Sequence, residues 1–502
     1  MDTTDRVTIA LDTQLPSYLL STTLTIVAFY FAYKLFKYSC QTIHFPGPKG
    51  SWYNGNLKEL LADNAHEYWV KWNREYGQIF EVHSSCFSRL IFVGNPEVIN
   101  HLCLRNYLKD EKVYNGFKYL SGNGLFSQLD PVQWKKQRSA LAPSFSHANV
   151  YQQHHIMQEY MNILIEKLDL AIEQKKLVNI SNEITLITID FLGEIAFGQT
   201  FDALKLGENC LLMQLLQSIL PELIKCAVFP LRGQFPILRV TRKMHEDIKK
   251  LRSICQASIK TAREMDESDR LFKKERIFEI LATTKSSNGQ YVFSEKELID
   301  NYVTFLVAGG DPTASAITFA LYELCRTENE QILRKAQEEV DELLDGRSDL
   351  INEHDLNKLK YLDMIIKETL RLHGPGFGTI RKLKENLTVN GITLPKNTSL
   401  YIWNYPVHRD PRIWSEPDIF NPENFRNVDA GEVKMNGSYF PFSHGPRKCL
   451  GLSLAMAEMR FILATFIHRY HFRLADNFKM IEKSSFTLCP SNGLPVYITK
   501  RI

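Results

Sequence analysis

Phe442-Ser443-His444-Gly445-Pro446-Arg447-Lys448-Cys449-Leu450-Gly451 is followed at once by a long helical pattern over residues 452–470. A cysteine between a glycine-bearing loop and a helix N-terminus lies where backbone N–H groups and the positive end of the helix dipole favour a thiolate, and a thiolate binds metal. Gly445 and Gly451 carry no Cβ, so something flat and rigid can approach the backbone around Cys449, with the charge of Arg447 beside it. A lone cysteine before a helix is more often a buried core thiol. The whole string is far rarer.

Composition narrows the classes. With 502 residues, 44% of them hydrophobic, the chain can bury a large core and ordinarily more than one domain. A net charge of +3 from mixed acids and bases gives no polyanion signal, which leaves a nucleic-acid role little support. Nine cysteines, an odd number without Cys-x-x-Cys pairs, read as reduced thiols facing the cytosol.

The spacing Phe442-x-x-Gly445-x-Arg447-x-Cys449-x-Gly451 resembles the haem-binding loop of the cytochrome P-450 family, microsomal type. The resemblance implies that Cys449 is the axial iron ligand of haem b, with Phe442, Arg447 and Gly451 at the cofactor. It implies a mainly α fold, a large helical body with a small β-rich lobe. The implied activity is NADPH- and dioxygen-dependent insertion of one oxygen atom into a lipophilic substrate. No flavin or nucleotide motif occurs here, so electrons are expected from NADPH-cytochrome P-450 reductase, with cytochrome b5 as an optional helper.

Residues 1–14 are polar, and residues 15–33 run without a charge for roughly nineteen positions, near the length that crosses a bilayer. A cleaved secretory signal is the competing reading; the length of the run and the lack of an Ala-x-Ala site stand against it. Lys34 and Lys37 then predict by the positive-inside rule that the remainder stays cytosolic. Residues 34–50, ending in Phe45-Pro46-Gly47-Pro48-Lys49-Gly50, read as a basic, stiff hinge, and residues 51–502 as the catalytic domain. The expectation is a single-pass protein of the endoplasmic reticulum membrane with a lumenal N-terminus.

Periodicity predicts an amphipathic helix over 66–76, a strand pair at 79–82 and 90–93, and a loop-like segment over 107–128 interrupted by Gly116, Gly122 and Gly124. Asp130 and Pro131 cap and open a helix on which Trp134 and Arg138, four apart, share a face. Such a pair is commonly surface packing. It also resembles the family's W-x-x-x-R, which implies that both side chains hold a haem propionate. Residues 150–284 are helical in period, with Pro221, Pro230 and Pro236 marking breaks. The resemblance implies that 206–238 roof the substrate pocket, and their apolar content suits a greasy ligand.

Ser294 and Glu297 form a capping box that opens a periodic run to about Cys325, a helix about 45 Å long. Within it, Ala308-Gly309-Gly310-Asp311-Pro312-Thr313 places two glycines, an acid and a proline where each is costly. Either two shorter helices meet there or the site is functional. The string resembles the family's oxygen-binding segment, which implies Asp311 as the acid of a proton relay and Thr313 as a helping hydroxyl. Pro312 stands where the relay threonine is expected and cannot donate a proton. Asp311 with ordered water is therefore expected to deliver protons less tightly, releasing more hydrogen peroxide. The stretch from Arg371 to Arg381 resembles the insect family 4 branch, many of whose members esterify haem through a glutamate. Ala308 stands at that position, so haem is expected to be non-covalent.

Glu368 and Arg371, three apart on a helix, resemble the family's E-x-x-R, while Asn424 replaces the arginine of its third partner segment and leaves that network in doubt. By position Arg381 is expected at a second propionate contact. Lys135, Lys136 and Lys448 form either a basic surface for an electron donor or ordinary solvated lysines. Two alternatives stand beside the monooxygenase: a haem-thiolate isomerase or dehydratase acting on a preformed peroxide, and a non-enzymatic haem- or lipophile-binding protein.

Overall fold

The structure, a computed structural model, describes residues 43–501 except 52, 86–87, 265–276, 286–287, 348–349 and 427–436, together with scattered helical positions between 22 and 32. The anchor expected over 15–33 and the junction after it lie largely outside the described residues.

Nine of the helices frame the site: α1 (Ala65–Tyr76), α2 (Glu111–Ser121), α3 (Pro131–Leu141), α4 (Ile180–Phe197), α5 (Leu211–Val228), α6 (Arg239–Glu264), α7 (Glu295–Cys325), α8 (Lys360–His373) and α9 (Leu452–Arg469). The axle is α7. Its reciprocal cap is formed, Glu297 N donating to Ser294 Oγ at 3.3 Å and Ser294 N to Glu297 Oε2 at 2.9 Å. It is buried on nearly every side, through Leu298, Val303, Phe305, Ile317 and Phe319 among others, as a helix apolar all round must be. It packs on α4, α6, α8 and α9. The helix runs unbroken through Pro312, so the reading as two shorter helices is set aside. Packing along both halves offsets the roughly 3 kcal/mol that an interior proline costs.

Two sequence expectations need correction. Residues 111–121, read as loop, form α2, because Asp110 caps the turn by accepting from Lys112 N at 2.9 Å. Its interior Gly116 is a packing residue: a Cβ there would lie 2.2 Å from Ala227 Cα on α5. Pro221, read as a break, sits inside α5, where buried Ile219, Leu220 and Leu223 hold the helix together around it. By length and composition α5 is apolar enough to cross a membrane, yet these contacts place that face in the core.

The small lobe is a four-stranded sheet of β1 (Ile79–Ser85), β2 (Ser88–Val93), β3 (Gly378–Lys382) and β4 (Ser399–Trp403), in the order β1-β2-β4-β3. The anticipated strand pair is in register Ile79↔Val93 and Val82↔Leu90. Strand β3 pairs antiparallel with β4, Arg381 opposite Leu400, and Arg381 also forms an isolated antiparallel bridge with Lys109. A C-terminal hairpin, β5 (Glu482–Ser484) and β6 (Leu488–Pro490), packs on α7.

Candidate active site

The cysteine loop is tied across its base by Cys449 N donating to the Phe442 carbonyl at 2.7 Å, and α9 starts at Leu452. Gly445 turns the loop at φ +73°, and a Cβ there would lie 2.4 Å from the Cys103 carbonyl oxygen; a Cβ on Gly451 would meet open space. Cys449 is the exposed cysteine among those described, although protein surrounds it on all sides. Ala308 is likewise exposed in the middle of buried α7. Each is thus accessible, Ala308 while its neighbours in sequence are largely covered.

Burial pushes the Cys449 thiol up; the Gly451 N–H and the charge of Arg138 act in the opposite sense without prevailing. A metal ion bound at the sulfur would favour the thiolate.

Four cations gather beside the loop. Arg381, wholly buried, donates through Nη1 to the Ile380 carbonyl at 3.2 Å and to Thr379 Oγ1, and its Nε has no partner among the described residues. Arg447 donates from Nε to Asn106 Oδ1 at 2.6 Å and lies 4.1 Å over the ring of buried Trp134, while both terminal nitrogens are buried without partners. Lys109 is buried, its Nζ donating to the Phe126 carbonyl and lying 4.4 Å over the Tyr114 ring. Arg138 is half-buried on α3.

Among the described residues no carboxylate pairs with any of the four. Burial, then Arg381 and Arg138, brings Arg447 down to about 10, and burial followed by Arg447 and Arg381 holds Lys109 well below its ordinary range. Buried cations without counter-ions are costly, so the set fits a ligand with two carboxylates. Sequence reasoning missed Lys109, since no motif contains it and its segment was read as loop. The aromatic residues beside it, Tyr114 and Phe126, were the available signal.

On α7 the relay residues are not joined. The Asp311 carboxyl accepts from Thr487 on the turn of the C-terminal hairpin, while Thr313 Oγ1 donates to the Gly309 carbonyl at 3.0 Å. Burial raises Asp311 above its ordinary value, and the Thr487 hydroxyl opposes that rise.

Glu368 and Arg371 are fully buried and joined by two 2.7 Å bonds. Arg371 also donates to the carbonyls of His408, Pro417 and Ile419, so all its donor groups are directed at acceptors. Asn421 N reaches Glu368 Oε1 at 2.7 Å.

A mainly helical body, a loop with an accessible cysteine and neighbouring cations that pair with no carboxylate among the described residues fit a protein built around a large anionic prosthetic group. Comparison with known proteins agrees. The family model described as cytochrome P-450 matches residues 45–495, and the chain belongs to that family. It is similar to cytochrome P-450 3A41 of Mus musculus, 24% identical over 470 residues, covering 91% of this chain and 88% of that protein. It is also similar to cytochrome P-450 3A29 of Sus scrofa, 25% identical over 493 residues with 96% and 92% covered. Melianol synthase CYP71BQ4 of Citrus sinensis is 25% identical over 483 residues, with 91% of each chain covered. Membership makes the chain an oxidoreductase of the haem-thiolate monooxygenase class, served by a redox partner.

Proposed function

We propose that this chain is an NADPH- and dioxygen-dependent monooxygenase of lipophilic substrates, with Cys449 as the axial ligand of a non-covalently held haem b. The observation that carries the reading is the set Lys109, Arg138, Arg381 and Arg447 beside the cysteine loop, which pairs with no acid among the described residues. These donors suit the two propionates, with Trp134 fixing Arg447 by stacking. Phe442 and Gly451 flank the sulfur, and the open space beyond Gly451 leaves room for a macrocycle. Ala308 brings no carboxylate to form an ester, so haem should extract into acidified organic solvent.

When bound, the haem supplies the iron at which dioxygen is reduced and one oxygen atom passes to a C–H or double bond. The chain's own part is to bind, exclude water and supply protons. Asp311 holds the proton, and Thr313 occupies the Gly309 carbonyl in the stretch of α7 where Pro312 offers no N–H. Glu368 and Arg371 hold the fold around the loop without a chemical step.

The electron donor in this reading is NADPH-cytochrome P-450 reductase, meeting the exposed Lys135, Lys136 and Lys448, with cytochrome b5 optional. The site faces the cytosol from a single-pass anchor at 15–33 in the endoplasmic reticulum membrane. Exposed Phe229, Leu231, Phe235, Ile237 and Leu238 between α5 and α6 support contact of this face with lipid. The likeness to the insect family 4 branch favours fatty-acid-like chains, hormones or foreign lipophiles as substrates.

Membranes containing the chain and a reductase test the reading when given NADPH and a mixed lipophile library. Mono-oxygenated products that require NADPH support it. Conversion of an organic hydroperoxide without NADPH establishes the isomerase or dehydratase instead, and haem binding with no turnover at all establishes the binding protein.

A further inference from the structure

The helix that carries Asp311 offers that acid no hydroxyl. Pro312 has none, and Thr313 Oγ1 is committed to the Gly309 carbonyl at 3.0 Å, along the helix axis. The hydroxyl that does meet the Asp311 carboxyl comes from 176 residues further along the chain: Thr487 Oγ1 donates to Asp311 Oδ2. Thr487 is buried, and among the described residues it is the one hydrogen-bond partner of that carboxyl.

We infer that Thr487 is a positioning residue for Asp311, its hydroxyl taking the place of the one that Pro312 lacks. The inference rests on the reading of Asp311 as the proton-supplying acid. When Asp311 releases its proton into the site, the charge left on Oδ2 is met by the Thr487 O–H, and water from solvent returns the proton. Holding Oδ2 also fixes the carboxyl rotamer, so that Oδ1 remains the oxygen free to exchange a proton.

The hairpin is built to hold that hydroxyl still. At its base, Glu482 accepts from Tyr405 OH at 3.0 Å, pairs with His66 Nε2 at 3.3 Å and bonds His373 Nδ1. His373 in turn reaches Glu323 on α7 at 3.0 Å. Beyond the turn, Leu488 N donates to the Pro375 carbonyl at 3.0 Å and the Leu488 side chain packs with Phe319, two turns along α7 from Asp311. Both ends of the turn are thus referred to α7 itself. No cation faces Asp311 among the described residues; the titratable group that faces it from β6 is the Cys489 thiol, pushed up to about 12 and so uncharged. With burial raising the acid, the Thr487 bond is what favours its ionised form.

The test uses the full-length, haem-loaded protein and the variants Thr487→Val, Thr487→Ser and Asp311→Asn. Infrared titration follows the carboxylic C=O band that Asp311→Asn removes. A hydrogen bond to a charged group is worth about one to two pH units, so in Thr487→Val this band should persist to a pH higher by that amount, and Thr487→Ser should restore it. With NADPH and reductase in air-saturated buffer, Thr487→Val should also send a larger share of electrons to hydrogen peroxide. Unchanged titration in Thr487→Val overturns the inference, and Thr487→Ala decides the same point if the valine variant does not fold. If Asp311→Asn leaves the peroxide share unchanged, the reading of Asp311 fails instead, and the catalytic part of the inference with it.

Discussion

Asn424 donates through Nδ2 to Oε1 of Glu368 at 3.2 Å. The residue that stands where an arginine was expected therefore still serves the buried Glu368 and Arg371 pair, as a neutral donor. Removing it in Asn424→Ala leaves Glu368 with Arg371 and the Asn421 N–H, and should cost about 1 kcal/mol. Glu368→Gln leaves the Arg371 charge buried without its counter-ion and should cost about 3–5 kcal/mol. Denaturant unfolding of the two variants decides; equal losses would mean that Asn424 carries the network.

Gly309 and Gly310 look alike in sequence and differ in space. A Cβ on Gly309 would lie 2.7 Å from Leu192 Cδ1 on α4, whereas one on Gly310 meets nothing closer than Ile189 Cγ1 at 3.7 Å. Leu192 is buried, so its methyls can give way only by disturbing their own packing. Gly309→Ala should destabilise by about 1–3 kcal/mol, while Gly310→Ala should be neutral or gain up to about 1 kcal/mol from helix propensity. Thermal unfolding that ranks them in the opposite order refutes the packing assignment.

His373 lies between two carboxylates, 3.0 Å from Glu323 Oε1 and bonded to Glu482 Oε1. Burial pushes the imidazole down, but Glu482 and Glu323 overcome it and raise it above its ordinary 6.5, while both acids are held below 4.5 against their own burial. A raised imidazole stabilises fully below its unfolded value and loses that contribution as pH rises through its folded value. Depressed acids stabilise above their unfolded value and lose it as pH falls. The cluster therefore contributes most between 4.5 and 6.5. His373→Gln should cost about 3–5 kcal/mol in that window, with the gap to wild type narrowing on both sides of it. A gap that stays constant from acid to alkaline pH contradicts the assignment.

Arg447, Arg381 and Lys109 repel one another, and among the described residues no acid partners them. Arg447→Leu should weaken haem retention at least tenfold, measured by transfer to apomyoglobin, because a buried propionate loses a charge-assisted donor. The haem-free form of the same variant should be no less stable than haem-free wild type, since a buried unpaired charge has gone. Loss of stability in the haem-free variant would show that the Asn106 bond and the Trp134 stacking outweigh the cost of the buried charge.

Much of this is legible in the sequence alone. The cap of α7, the entry of α3 at Asp130 and Pro131, and the strand pair at 79–82 and 90–93 are local signals, written in neighbouring residues. What sequence misread were glycines and prolines whose meaning lies in a distant partner. Gly116 answers to Ala227, and Pro221 sits in a helix stabilised by its packing. Lys109 and Thr487 were invisible for the same reason: each acts on residues brought near only by the fold, Arg381 through a β-bridge and Asp311 through a hairpin turn.

The claim on which the rest depends is a bond from the sulfur of Cys449 to haem iron. Purified wild-type protein and Cys449→Ser, each reduced and exposed to carbon monoxide, should differ in their absorption: the wild type gives the red-shifted Soret band of a thiolate-ligated carbonyl, and the variant lacks it. The same band at the same intensity in both samples would place the iron on another ligand and contradict the account.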